Sequence, residues 1–169
     1  MLFFAIEEGL LTDVDELIED HGWSLIAKDD PMTFYHLANM TSAYARGEVP
    51  GAAWAYNDYA IQLYVETLFD NVYGTTANAA ATNANRLGAL QFQDGSIYSS
   101  RNGYGIETSV RDFARIGWLW CNYGYWNGTQ LLPRWYFDDY MQAHVSSGTP
   151  RSTSSGSDYL GLGTFGGGS

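Results

Sequence analysis

Pro50-Gly51-Ala52-Ala53-Trp54-Ala55-Tyr56-Asn57-Asp58-Tyr59-Ala60-Ile61-Gln62-Leu63 joins a turn to a helix, and the rest of the chain can be read outward from it. Proline presets φ and glycine accepts a positive φ, so Pro50-Gly51 marks the turn. Beyond it Ala60, Leu63, Tyr64, Thr67 and Leu68 recur at helical spacing, while Ile61, Val65 and Phe69 fill the other side. A helix apolar nearly all round is expected to be buried. Tyr56 then stands just before a buried helix on a constrained loop. Its phenol is either a positioned acid or base held partly out of water, or one of 13 tyrosines that simply packs.

Composition bounds the possibilities. The 169 residues, 46% hydrophobic, suffice for one sizeable core, so one domain is expected. Eight basic residues against 19 acidic ones give a net charge of −11, which argues against nucleic acid as a partner, since phosphate binding needs a basic footprint. No run approaches the length of a membrane span, and Met1 to Ile6 meets Glu7-Glu8 without the pattern of a signal peptide. A single Cys121 excludes an intrachain disulfide, and His21, His36 and His144 lack metal-binding spacing. No metal or organic cofactor is implied.

The flanking segments read as further helices. Leu2 to Leu11 is an apolar helical tail closed by Gly9, and Thr33 is the N-cap of a short helix. Gly74 to Asn85 is small and polar, a weak helix or a surface excursion. Leu90 to Tyr98 alternates and is expected to form a small hairpin turning at Asp94-Gly95. A second strong helix runs from Ser109 to Gly124, with Ser109 as N-cap and Asp112 at the third position in a short version of the capping box. Its Val110, Phe113, Ala114, Gly117, Trp120 and Cys121 form one stripe expected to be buried, with Cys121 inert. Arg111, Asp112 and Arg115 are expected to form ion pairs fixing this helix. Pro133 opens a short aromatic helix, residues 145–158 are expected to be a flexible loop, and Tyr159 to Ser169 the start of a strand or loop.

Three stretches, in order, resemble one family. Met32, Thr33, His36, Leu37, Met40, Thr41 and Ser42 match "I-T-x-x-H-L-L-x-M-T-S-G"; Pro50-Gly51 with Tyr56-Asn57-Asp58 resembles PG followed by Tyr-x-Asn; and Thr108 to Pro133 resembles "T-S-x-R-D-x-A-R-x-G-x-L-x-x-x-x-G-x-W-N-G-x-Q-L-L-P". These are elements of the serine β-lactamase-like hydrolases, which include class C β-lactamases, DD-peptidases and related esterases and amide hydrolases. The resemblance covers nearly the whole chain and is loosest over residues 12–27 and 74–85.

The resemblance implies a mainly α region of a β-lactamase/transpeptidase-like α+β fold, with at most a small hairpin, so that residues 1–169 make one partial domain. It implies acyl transfer from an ester, amide or β-lactam, a small-molecule acyl substrate, with Tyr56 and Asp58 as site residues. Asp58 departs from the motif, because an ionised aspartate cannot donate a hydrogen bond as asparagine does. The chain contains no Ser-x-x-Lys, since Leu25 stands three residues before its lone Lys28, and no Gly-x-Ser-x-Gly elbow. The nucleophile is expected upstream of residue 1 and the Lys-Thr-Gly or His-x-Gly strand beyond residue 169, leaving the chain as given inactive. A periplasmic or secreted location follows from the family alone. Two rival readings stay open: a carbohydrate- or peptidoglycan-binding module using the 27 aromatic residues (6 Trp, 13 Tyr, 8 Phe), and a purely structural or interaction domain.

Overall fold

The structure, a computed structural model, describes residues 1–95, 97–99 and 105–154. Over the described residues the chain is mainly helical, with two small antiparallel strand pairs. Six α-helices occur among the described residues: α1 (Leu2–Glu7), α2 (Phe34–Ala38), α3 (Asp58–Glu66), α4 (Ala77–Ala81), α5 (Val110–Cys121) and α6 (Arg134–Tyr140). Strands β1 (Ile97–Ser99) and β2 (Gly105–Glu107) pair Tyr98 with Ile106; β3 (Tyr125–Trp126) and β4 (Thr129–Gln130) pair Trp126 with Thr129. The C-terminal strand or loop expected after Tyr159 lies outside the described residues. No helix among those described is long and apolar enough to cross a membrane.

Two apolar clusters share α1 as a wall. Leu2 and Ala5 join Ile18, Phe34, Leu37 and Leu63 in the larger cluster; Phe4 joins Leu90, Leu119, Leu132, Tyr136 and Phe137 in the smaller. Gly9 ends α1 as its sequence suggests, with φ +72° and its N–H on the Ile6 carbonyl. α3 is buried through Ala60, Leu63 and Glu66. It then widens into a π-helical turn over Thr67–Val72. There the Thr67 hydroxyl donates back to the Leu63 carbonyl at 2.6 Å and accepts from Trp23 Nε1 at 2.8 Å, a side chain competing with the helical ladder. The polar stretch after Gly74 does form a helix, α4, capped by Thr76 and buried through Ala77, Ala80 and Ala81.

Three expectations are corrected. No hairpin turns at Asp94-Gly95: Leu87–Leu90 is a 3-10 turn, Gln91 takes φ +53°, and Tyr98 pairs with Ile106 rather than with residues before the turn. The amides of Gln93 and Asp94 are instead captured by Asp112, at 2.9 Å each. The stripe on α5 does not face inward. Val110 is 90% exposed, Phe113 59% and Trp120 39%, and Cys121 is exposed too. The buried face is Asp112 and Leu119, with Arg115 and Ile116 half-buried beside them. Ser109 caps α5 as expected, accepting from the Asp112 amide at 3.1 Å. The Asp112 carboxylate, however, leaves the helix to hold residues 93–94 rather than closing a capping box.

The orientation of α5 follows from this polar anchor. Arg115 lies 3.9 Å from the Asp112 carboxylate and donates to the Leu90 and Gln91 carbonyls at 2.6 and 2.9 Å. Arg111 pairs with Asp94 at 3.7 Å. Asp112 thus satisfies two loop amides and faces a guanidinium, an arrangement that only inward rotation of this face permits. The three residues serve the scaffold, in line with their sequence reading.

Candidate functional site

α2 begins at Thr33, where a reciprocal capping box forms: the His36 amide donates to Thr33 Oγ1 and the Thr33 amide donates to His36 Nδ1, both at 3.3 Å. Burial holds the imidazole pKa below its ordinary 6.5, partly offset by the Asp15 carboxylate. The other edge of the ring lies under Gly51: a Cβ there would meet His36 Nε2 at 3.3 Å, and φ is +84°. The positive φ calls for glycine at this turn, and the close imidazole adds to the cost of any side chain there.

Between α2 and the turn the backbone is left-handed at three non-glycine residues, Met40 (φ +59°), Ala43 (φ +50°) and Ala45 (φ +57°). Each such residue costs on the order of 1 kcal/mol. This coil is pinned from below by Lys28, whose ammonium donates to the Ala43 carbonyl at 3.2 Å and pairs with the fully buried Asp29. From above, Gly51 N–H donates to the Thr41 carbonyl at 2.7 Å and Ala55 N–H to the Met40 carbonyl at 3.0 Å.

Tyr56 sits at the end of that stitched loop. Its carbonyl accepts from Arg46 Nη2 at 3.4 Å. Next to it the buried Asn57 caps α3, its Oδ1 accepting from Tyr59 and Ala60 amides at 3.0 and 3.4 Å and its Nδ2 donating to the Tyr44 carbonyl. The backbone on both sides of Tyr56 is held, yet its side chain is 60% exposed. The expectation that the phenol is kept partly out of water is corrected accordingly. Asp58 is exposed in the first turn of α3, where the helix dipole favours its charge. Tyr56 and Asp58 thus flank Asn57 at the mouth of one helix.

A second wall comes from about a hundred residues later. Trp54 N–H donates to the Pro150 carbonyl at 2.8 Å and Ser152 N–H to the Trp54 carbonyl at 2.9 Å, a parallel bridge between Trp54 and Arg151. Arg46 Nη1 donates to the Ser154 carbonyl at 2.7 Å. Glu48 gathers the rest: Ser154 Oγ at 2.6 Å, Ser152 Oγ at 2.9 Å and Thr153 N–H at 3.1 Å. The segment expected to be a loop from residue 145 carries these contacts as far as Ser154, and its last residues lie outside the described ones. No local pattern announces this wall, because its partners are roughly 100 residues apart, up to 108 for Arg46 and Ser154.

The chemistry open to this arrangement is limited by charge state. The Ser154 hydroxyl, with Ser152 and Thr153, holds the Glu48 carboxyl far below its ordinary value, to about 2. A carboxylate that acidic is a poor general base near neutrality, so Ser152 and Ser154 are structural hydroxyls rather than activated nucleophiles. Tyr56, at 60% exposure, is the most exposed of the described tyrosines, with Tyr59 at 40% three residues on. Elsewhere, His21 pairs with Glu16 at 3.2 Å and His144 lies against Tyr140, so the histidines do not converge. The tryptophans divide: Trp118 and Trp126 share a groove, Trp120 packs edge-on against Tyr136 and Phe137, and Trp54 lies under Arg151. No protein-family model matches the chain, and no curated protein matches it.

Proposed function

We propose that this chain is the central, helical part of a β-lactamase-related serine hydrolase, with Tyr56 as the group that moves a proton during acyl transfer and Asp58 beside it at the substrate. One observation carries the reading: Tyr56 has a fixed backbone and an exposed side chain. A tyrosine that serves packing alone is buried, as Tyr44 is at 1% exposure; Tyr56 is 60% exposed, on a loop whose strained foundation is held from two sides. Ala43 adds support. It occupies the glycine position of the motif that residues 32–42 resemble, and its φ of +50° is a conformation that suits glycine.

In the mechanism a serine from a Ser-x-x-Lys motif, which this chain does not contain, attacks the acyl carbon and gives its proton to the pair formed by that lysine and Tyr56. This pair shares one proton fewer than ammonium plus phenol and so includes a basic site, either the phenolate or the neutral amine. The leaving group departs with a proton returned from the same pair, and water then releases the acyl group. Positioned proton transfer of this kind contributes about 10²- to 10⁴-fold in rate. The test is expression of this chain with its flanking coding sequence. A fluorophosphonate probe should label one serine outside residues 1–169, and Tyr56→Phe should lower kcat for a p-nitrophenyl ester by about 10²-fold or more, with unchanged circular dichroism. An unlabelled protein, or a Tyr56→Phe rate within threefold of the parent, would sink the proposal. The chain alone should turn over neither that ester nor nitrocefin.

A further inference from the structure

We propose that the surface around Trp126, built from α5 and the β3–β4 hairpin, is an oligosaccharide-binding groove. Two hollows adjoin there. One, of about 430 Å³, is lined by Arg111, Ala114, Arg115, Trp118 and Trp126. The other, of about 420 Å³, has Trp126 in common and adds Asn85, Asn127, Thr129 and Gln130. Both are shallow and open to solvent, and together they form a strip with an aromatic end and an amide-rich end.

That division matches the two faces of a sugar ring. The C–H face of a hexopyranose is apolar and covers an indole, while its edge of hydroxyls needs groups that both donate and accept, which amides do. Trp118 leaves 63% of its surface in water, a large apolar plate with nothing among the described residues stacked on it. The amide end is rigid. Asn127 (φ +45°) and Gly128 (φ +86°) make a two-residue hairpin turn that sets Trp126 and Thr129 opposite one another. Gln130 spends its NH₂ on the Tyr123 and Leu132 carbonyls, at 2.6 and 2.5 Å, so its carbonyl oxygen is the group it offers a ligand.

Arginine beside tryptophan also suits single-stranded nucleic acid, and charge decides between the two. The chain carries −11, and both guanidiniums already face carboxylates, Arg111 at 3.7 Å from Asp94 and Arg115 at 3.9 Å from Asp112. A polyanion would gain little from them and be repelled by the rest. A neutral saccharide meets neither obstacle. The site shares no element with the Tyr56 loop and does not rest on the acyl-transfer reading.

The test uses the purified chain, with tryptophan fluorescence and calorimetry against cellohexaose, xylohexaose and chitohexaose, and poly(U) RNA as the competing polymer. At least one hexasaccharide should bind saturably. Trp118→Ala should weaken it about tenfold or more, and Asn127→Gly, which keeps the turn, several-fold. Trp120→Ala and Tyr56→Phe should leave affinity unchanged, which separates this site from the proposed catalytic one. Both Trp118 and Asn127 are exposed, so the two variants are expected to fold; circular dichroism verifies it. Absence of saturable binding to all three sugars, indifference to Trp118→Ala, or tighter binding of RNA than of any sugar overturns the proposal.

Discussion

Replacing Asp112 by alanine tests the account of why α5 turns its apolar stripe outward. The carboxylate is fully buried, accepts the Gln93 and Asp94 amides at 2.9 Å each, and faces Arg115 at 3.9 Å. Hydrogen bonds to a charged group contribute about 1.5–3 kcal/mol apiece, so two give roughly 3–6 kcal/mol. Gln93 and Asp94 are exposed, and water can recover part of their amide hydration once the carboxylate is gone. Arg115 keeps its bonds to the Leu90 and Gln91 carbonyls but loses its anion. The net expectation for Asp112→Ala is about 3 kcal/mol, a large part of the roughly 5–15 kcal/mol that holds a domain together. Asp112→Asn keeps one acceptor oxygen and should cost about half as much. Urea unfolding followed by circular dichroism measures both. An Asp112→Ala variant within 0.5 kcal/mol of the parent, by the usual ~10% precision of such extrapolations, would refute the anchor.

Three further outcomes follow from the same geometry. His36 has its pKa lowered by burial, so the folded state resists its protonation: stability is full above the ordinary 6.5 and falls as pH drops below it, until the folded pKa is passed. His36→Gln retains a capping-box partner and should flatten that part of the urea-midpoint profile between pH 7.5 and 5.5, measured against the parent. Glu48, lowered to about 2, contributes above its ordinary 4.5 and loses that contribution as pH falls towards 2, so amide protection at Ser152 and Thr153 should persist at pH 4. Glu48→Gln should speed exchange at those amides roughly three- to fivefold at neutral pH, a modest effect because the pair is solvent-accessible; unchanged exchange would remove Glu48 as the tether. Gly124 has φ +80°, and a Cβ there would meet the Leu132 carbonyl oxygen at 2.2 Å, so Gly124→Ala should cost about 2 kcal/mol or more. At Gly128, with φ +86° and open space, Gly128→Ala should cost only about 1 kcal/mol in the same unfolding assay.

What was legible in the sequence was local. Thr33, Ser109 and Gly9 act at the ends of helices through bonds spanning three or four residues, and their chemistry names those ends directly. The β3–β4 hairpin was equally readable. Asn127-Gly128 between Tyr125-Trp126 and Thr129-Gln130 is a two-residue turn signal, overshadowed by the longer resemblance running through it. Asn57 was readable too: an asparagine before an apolar run is a cap by type, although the Tyr-x-[Asn/Asp] pattern draws attention to Asp58 one residue on.

The failures share a cause. Apolar periodicity says which face of a helix repels water most, and on α5 that face carries Val110, Phe113 and Trp120. Which face turns inward is set by the sum over everything it meets. Opposite that stripe lies a buried carboxylate with two loop amides and a guanidinium to satisfy it, and their partners are 18 to 25 residues away in sequence. Had Asp112 faced water, the Gln93 and Asp94 amides would lose their acceptor and Arg115 its anion. Rotating the stripe inward would gain about 2 kcal/mol per large side chain, but only if an apolar surface were there to receive it. The smaller core is already filled by Leu119, Leu132, Tyr136 and Phe137; of the stripe, Trp120 meets its edge, while Val110 and Phe113 join neither apolar cluster among the described residues. The same reasoning applies at the Tyr56 loop: its far wall, Glu48 with Ser152 and Ser154, comes from contacts more than a hundred residues apart, where no periodicity exists to be read.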